Sequence, residues 1–157
     1  MPNDADDLMR PWVQVAAFVN VAMQEGPPGN WLSLIRILDR WFFNGTTPEM
    51  PPSMLQTTLV VMMKSDNMRG SATVKIRPIS PTKKELPSIE IPILFEGEER
   101  GVNIVLPVVM QVQESGLYWF DVLVDDQIFT RIPLRVVYQR AAGISGIPTT
   151  APQTPEG

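Results

Sequence analysis

The residue types that most enzymes use for nucleophilic and acid–base chemistry are missing from this chain or scattered along it. It contains no cysteine and no histidine. This excludes thiolate chemistry, disulfides, the usual Cys/His zinc sites and every triad that needs a histidine base. There is no G-x-S-x-G elbow and no glycine-rich phosphate loop that leads into a helix. Carboxylates, lysines and tyrosines are the groups left for catalysis.

Asp39 is the most conspicuous carboxylate, because it interrupts an apolar segment and is followed by Arg40. It is either a buried carboxylate with a raised pKa or a strand-end aspartate paired with an arginine or with turn amides. We favour the second interpretation, since ionisable residues inside sheets usually have partners. There are two acidic clusters: Glu96, Glu98 and Glu99 lie in one predicted turn, and Asp121, Asp125 and Asp126 lie around another. Neither has the spacing of a known calcium loop. We therefore expect no metal, no cofactor and no enzymatic activity.

The charge balance limits the partners. Thirteen Lys and Arg residues against seventeen Asp and Glu residues give a net charge of −4, and the basic residues are scattered. Such a chain lacks the cationic surface that nucleic acids and anionic membranes select. The first ten residues carry three aspartates before Arg10, unlike a signal peptide, and no apolar run approaches the roughly 20 residues of a membrane span. We expect a cytoplasmic protein that binds neither nucleic acid nor membrane.

The elements that carry these residues read as strands. At 157 residues the chain has the length of one domain, and its sixteen prolines separate apolar segments that alternate with period two. Eight such segments predict an all-β fold, an antiparallel immunoglobulin-like β-sandwich of about eight strands, over residues 12–140. Residues 1–11 are predicted to be a flexible N-terminal segment, and residues 141–157 a disordered C-terminal tail.

The alternation also predicts which side chains face the core. In the first segment the odd positions from Val13 to Val21 form a uniform apolar face, which we expect to point inward. Turns are expected at residues 65–70, 96–101 and 125–126, and Pro92 indicates an edge strand. In the last segment Ile128 is expected to face inward and Phe129 outward.

One local motif sharpens the fold prediction. In Gly116-Leu-Tyr-Trp-Phe120, the residues Gly116, Tyr118 and Phe120 alternate as in a tyrosine corner. Phe120 then stands where an antibody domain has its second cysteine. We expect the Tyr118 hydroxyl to bond to the backbone rather than to a ligand.

Three stretches of the chain resemble a bacterial family of unknown function found in small single-domain proteins. Residues 32–40, LSLIRILDR, resemble the family's LTLIGIFDR block. The stretches from Gly116 to Asp126 and from Ile132 to Val137 resemble its closing hairpin, G-x-Y-x-F…D-G…P-L-x-V. The resemblance covers about residues 12–138. It implies a β-sandwich and supplies no catalytic residues, and Arg36 and Asp126 stand where the family has glycine.

The outward positions of the last three predicted strands are less polar than a solvated face. They predict a protein-binding or self-association surface centred on Trp119, with these candidate residues: Val109, Leu117, Trp119, Leu123, Phe129 and Val137. The competing explanation is that another part of the same chain covers this surface. The sequence thus favours a non-enzymatic protein-interaction or assembly module whose partner is itself or another protein. The alternatives are a module that binds carbohydrate or another small ligand through Trp12, Trp31 and Trp41, and a calcium-binding module.

Overall fold

A computed structural model describes residues 11–29 and 31–141. Within these ranges the chain forms no helix and seven strands: β1 (Trp12–Gln24), β2 (Leu32–Leu38), β3 (Arg40–Gly45), β4 (Ser53–Ile79), β5 (Ile89–Val112), β6 (Gly116–Val124) and β7 (Gln127–Arg140). All pairings are antiparallel except that of β3 with β7. The predicted tail beyond residue 141 and the N-terminal segment before residue 11 lie outside the described residues.

The β4–β5 hairpin connects two sheets. Residues 53–64 of β4 pair with residues 101–112 of β5, and residues 70–76 pair with residues 89–95. We call β2, β1 and the first of these paired stretches the first sheet. The second sheet consists of the other paired stretch together with the end of β4, β6, β7 and β3. Both sheets contribute to one core, which gives the predicted sandwich.

Two predicted turns lie within strands instead. Residues 65–70 and 96–101 belong to β4 and β5, where the ladder continues through two register shifts. Left-handed backbone at Asp66, Glu98, Gly70 and Gly97 bends the hairpin there. The sequence signature of a bend between sheets thus resembles that of a turn, because both need positive φ angles. The predicted second segment divides instead at Asp39, where the chain crosses to pair with β7.

The core confirms most of the predicted inward positions. Every second residue of β4 and β5 faces it, including Leu59, Val74 and Ile104. Phe18 of the first sheet and Phe120 of the second meet edge to face, with ring centroids 4.7 Å apart. Phe120 is fully buried. An aromatic pair therefore joins the sheets through the position at which an antibody domain has a cysteine.

The predicted inward face of β1 was wrong beyond its first residues. A register shift between Val13 and Val15 inserts an extra residue, so that Val13, Ala16 and Phe18 pack on the core. The uniform apolar face from Val15 to Val21 consequently points away from the core. Because side chains alternate with period two, one inserted residue exchanges the two faces of the rest of the strand.

A similar irregularity affects β7. The register shifts between Val122 and Leu123, so Ile128 lies opposite Leu123 and Phe129 packs against the core. The two neighbouring residues therefore have the opposite orientations to those predicted. The prediction for Pro92 holds, since β5 pairs only with β4 among the described strands and so provides a free edge to each sheet.

Candidate functional site

The structure divides the six candidate interface residues between three locations. Leu117, Trp119, Leu123 and Val137 lie on the outer side of the second sheet, as expected from the alternation. Leu123 is nevertheless buried there. Val109 lies on the outer side of the first sheet and is 59% exposed. Phe129 packs against the core, so it does not contribute to an outer surface. The six residues therefore do not form one patch.

A row of charged residues interrupts the outer side of the second sheet. Arg77 of β4, Asp121 of β6 and Arg131 of β7 lie side by side in the strand register. Arg77 Nη2 donates to Asp121 Oδ2 at 2.8 Å, and Arg131 Nε donates to Asp121 Oδ1 at 2.6 Å. We call these three residues the charged row. Asp121 is fully buried beneath the two guanidinium groups.

The electrostatics of the charged row keep Asp121 ionised. Burial by itself would raise the pKa of this carboxyl, but the hydrogen bonds and positive charges of Arg77 and Arg131 outweigh burial and hold its pKa below the ordinary value. The interaction with Asp121 in turn raises the pKa of Arg77. A carboxylate held ionised between two arginines is not available as a general acid or base near neutral pH.

Trp119 is part of the same arrangement. Its side chain is half-buried, and the Arg131 guanidinium carbon lies 5.5 Å from its ring centroid. Its strand neighbours are Ile79 on β4 and Pro133 on β7. A cation over the ring and flanking apolar residues cover much of the surface that a partner would contact.

The tyrosine corner forms as predicted. The Tyr118 hydroxyl donates to the Glu114 carbonyl at 2.9 Å, and Tyr118 is 2% exposed. Burial raises the pKa of this hydroxyl, and the nearby Glu114 carboxylate adds to the rise. Tyr118 therefore closes the β5–β6 connection, and its hydroxyl is bound to backbone.

The remaining candidate carboxylates are also paired or exposed. Asp39 lies at the crossover from β2 to β3, is largely exposed and forms an ion pair with Arg40 at 3.1 Å. The hydrogen bond from Arg40 lowers the pKa of Asp39, which agrees with the second interpretation of this residue. In the acidic bend, Glu96 pairs with Arg100 and Glu98 with Arg69. Residues 11–29 and 31–141 contain no group of three or more acidic side chains placed to hold a metal ion.

The outer side of the first sheet is the most distinctive surface of the molecule. We call it the apolar face. It consists of every second residue from Val15 to Met23 on β1, from Ser33 to Ile37 on β2, from Met54 to Met62 on β4 and from Asn103 to Gln111 on β5. None of these residues is ionisable, although 19% of the chain is charged.

The exposure of the side chains on the apolar face differs between its inner strands and its margins. Val19 and Val60 are fully buried although neither belongs to the core cluster. Toward the margins the apolar side chains are open to solvent, with Ile37 68% and Val109 59% exposed. A contiguous surface of this kind is uncommon on a monomer and is typical of an interaction site.

The sequence predicted only the part of the apolar face that β5 contributes. The outward Val105, Pro107 and Val109 of β5 were recognised, whereas the valines of β1 were assigned to the core. The available signal was that Phe18, a large aromatic side chain, lies on the even positions of β1. A strand with apolar residues on both faces predicts burial on both sides.

The clefts and tryptophans bear on the small-ligand alternative. Trp12 and Trp31 flank opposite ends of β1, and Trp41 packs against the core. These three rings therefore do not form a common stacking platform. A polar cleft of about 390 Å³ opens beside Tyr118 and is lined by Ser80, Lys84, Leu86, Gln111, Gln113, Glu114 and Tyr118. No tryptophan lines this cleft.

The topology, the shared core and the tyrosine corner define the class of protein as an all-β, immunoglobulin-like sandwich. The model of the DUF6941 family, a family of unknown function, matches residues 37–137. The chain belongs to that family, which confirms the expectation of an uncharacterised β-sandwich family. No curated protein matches the chain.

Among solved structures, the chain is similar to an immunoglobulin-like protein from Pseudomonas aeruginosa. The two share 10% sequence identity, with a TM-score of 0.40 over 82% of this chain and 97% of that one. Within the described residues there is no helix long and apolar enough to cross a membrane.

Proposed function

We propose that this protein is a non-enzymatic protein-interaction module that docks a partner through the apolar face. The observation that carries the proposal is that no residue of the apolar face is ionisable; Lys64, the next outward residue of β4 after Met62, lies at its end. An antiparallel sheet with one solvated side normally alternates apolar-in and polar-out. Leaving this surface in water exposes valine, isoleucine and methionine side chains, and a partner that covers them gains their burial.

The state of the charged groups supports a non-enzymatic role. Within residues 11–29 and 31–141, the two aspartates with shifted pKa values are Asp39 and Asp121, and arginine partners shift both downward. Catalytic carboxylates are typically tuned in the other direction, so that they exchange a proton near neutral pH. The pairing of Asp39 and Asp121 is that of structural ion pairs.

The surface around Trp119 is the weaker candidate for the interface. Its apolar residues are separated by the charged row, and Arg131 already lies against the Trp119 ring. Docking a partner there would require desolvating Arg77 and Arg131. Val109 is the one predicted interface residue that belongs to the favoured surface.

Site-specific photo-crosslinking in the cells that make the protein tests this function. A photoreactive residue is placed at Val109 on the apolar face, at Leu94 on the same edge strand, or at Trp119. Val109 and Leu94 are each 59% exposed, and Leu94 lies on the outer side of the second sheet. We expect protein adducts, whether to another copy or to a different protein, at position 109 but not at 94 or 119. Equal labelling at all three positions, or none at 109, would contradict the proposal.

A further inference from the structure

The free edges of the first sheet are poorly suited to accept another strand. β5 pairs only with β4 among the described strands, and Pro107 lies opposite Thr58 in the part of that ladder that belongs to the first sheet. A proline is tolerated in such a strand where its missing N–H points to the free side. On β2, the other edge of the first sheet, Arg36 has φ 55°, which breaks the regular extended backbone. These features disfavour open-ended assembly through strand addition.

The chemistry of the apolar face fits a second copy of the same face. No residue of the apolar face is ionisable, so two copies that meet over it desolvate no charge that belongs to the face; Lys64 lies at its end, next to the bend. The face also offers no charge with which to select a charged partner. The polar residues on it, such as Gln56 and Thr58, lie among apolar neighbours. A two-fold arrangement places each surface against an identical one and closes the assembly at two chains.

The size of the apolar face reaches the lower limit for a specific interface. Four strands about 4.8 Å apart span about 19 Å, and nine residues of a strand extend about 30 Å. Each copy therefore contributes roughly 500 Å² of flat sheet, since the shorter β2 leaves part of the rectangle empty. Two copies bury roughly 1,000 Å² before the relief of the side chains is counted, which is the threshold for a specific interface.

We infer that the occupant of the apolar face is a second copy of this chain, packed sheet on sheet in a closed two-fold dimer. This inference rests on the proposed function and names its partner. The two copies place the first sheets at the centre of the dimer and the charged rows of the second sheets on its outside. Sheet-on-sheet packing of this kind leaves the edge strands free.

Light scattering coupled to size exclusion, over a wide range of protein concentrations, tests the dimer. We expect the full chain to elute with twice its monomer mass of 17.6 kDa. Val109→Asp should return it to the monomer mass, and the equally exposed matched control Leu94→Asp should leave it a dimer. Circular dichroism checks that each variant is folded. If Val109→Asp unfolds, Ile37→Glu decides, because Ile37 is 68% exposed on the opposite edge of the same face.

Three outcomes would overturn the inference. The wild-type chain remains a monomer at every concentration, or both variants of the apolar face remain dimers, or the mass rises without limit as an open assembly would. The photo-crosslinking separates this failure from that of the proposed function. A monomer that still forms adducts to a different protein at position 109 leaves the interaction module standing with another partner. A monomer that forms no adducts at position 109 would contradict both the dimer and the proposed interaction function.

Discussion

The two halves of the β4–β5 hairpin share the same pair of strands but differ on their outer sides. In the second half, Lys75 lies opposite Glu90 and forms an ion pair with it at 3.4 Å, while Arg77 belongs to the charged row. In the first half, Val60 lies opposite Val105 and Thr58 opposite Pro107, and that side carries no charge until Lys64 next to the bend. The inner sides of both halves are equally apolar.

This difference separates the requirements of folding from those of interaction. The inner side of each half needs apolar residues to form the core, and both halves supply them. The outer side is free to be polar, and in the second half it is, with opposite charges directly across the ladder. The first half keeps an apolar outer side that the core does not require. The outer positions of the first half are therefore the surface that we propose for a partner.

Removing the contact between the sheets should have the largest effect. Phe120→Ala deletes a fully buried ring that packs against Phe18. We expect a loss of about 3–5 kcal/mol in the free energy of unfolding. Urea denaturation measures it, with Phe42→Ala, a half-exposed phenylalanine of β3, as the control that changes little. Hydrogen exchange should rise in both halves of the hairpin, and a rise confined to the second half would mean that the sheets unfold independently.

The charged row offers a way to break the second half alone. Asp121→Asn removes the charge that faces Arg77 and Arg131, and we expect a loss of about 2–3 kcal/mol in the free energy of unfolding at pH 7. This is less than for a fully buried pair, because Arg131 remains about half exposed. The dimer should persist, since the row lies on the other sheet. A variant that keeps its stability but becomes a monomer would reverse the assignment of the two surfaces.

The pH dependence of stability follows from the lowered pKa of Asp121. The unfolded chain takes up a proton on this carboxyl as the pH falls through about 4, whereas the folded protein keeps it ionised to lower pH. The row's contribution is therefore fully present above this range and is lost as the pH falls through the lowered pKa. Between pH 6 and pH 3 the wild-type chain should lose more stability than Asp121→Asn. Parallel curves for the two proteins would contradict this.

The tyrosine corner tests a single hydrogen bond at one end of the second sheet. Tyr118→Phe keeps the ring but leaves the Glu114 carbonyl without its donor. We expect a loss of about 1 kcal/mol in the free energy of unfolding. Thermal denaturation measures it, and the light-scattering mass should not change. No loss at all would mean that water replaces the hydroxyl as donor.

Much of the fold follows from alternation along the strands. The inward residues of β4 and β5, the corner formed by Tyr118 and the edge position of Pro92 could each be read from residue types at fixed spacing. These features depend on local geometry, in which period two and turn chemistry dominate. The corner in addition depends on contacts four residues apart.

The errors come from irregularities that a period cannot reveal. One extra residue near Val13 exchanges the faces of β1, and another near Leu123 exchanges Ile128 and Phe129. The position of such a bulge depends on which strands pair and in which register, and the alternation of residue types does not reveal that pairing. Because the faces of β1 are exchanged, the favoured surface lies on the first sheet and not around Trp119 on the second sheet, where the sequence placed it. Once the valines of β1 point outward, they extend the outward Val105 and Val109 of β5 into one surface.

The smallest expected effects come from the two-residue turn between β6 and β7. Asp125 and Asp126 have φ angles of 45° and 66°, the left-handed backbone of a type I′ hairpin turn. Glycine adopts this conformation without the Cβ penalty, so Asp126→Gly should stabilise the fold by about 0.5 kcal/mol. Asp125→Gly should instead destabilise it, because Asp125 Oδ1 accepts a hydrogen bond from the Thr73 N–H at 3.0 Å.

The two neighbouring substitutions thus separate backbone strain from side-chain bonding within one turn. Urea denaturation of both variants measures the two changes against the wild-type chain. Opposite signs would support the view that the turn is strained at Asp126 and held to β4 through Asp125. Stabilisation by both would show that the bond to Thr73 contributes less than the strain that the aspartate imposes. Because the turn lies at the end of the second sheet, neither variant should alter the dimer that we propose to form through the first sheet.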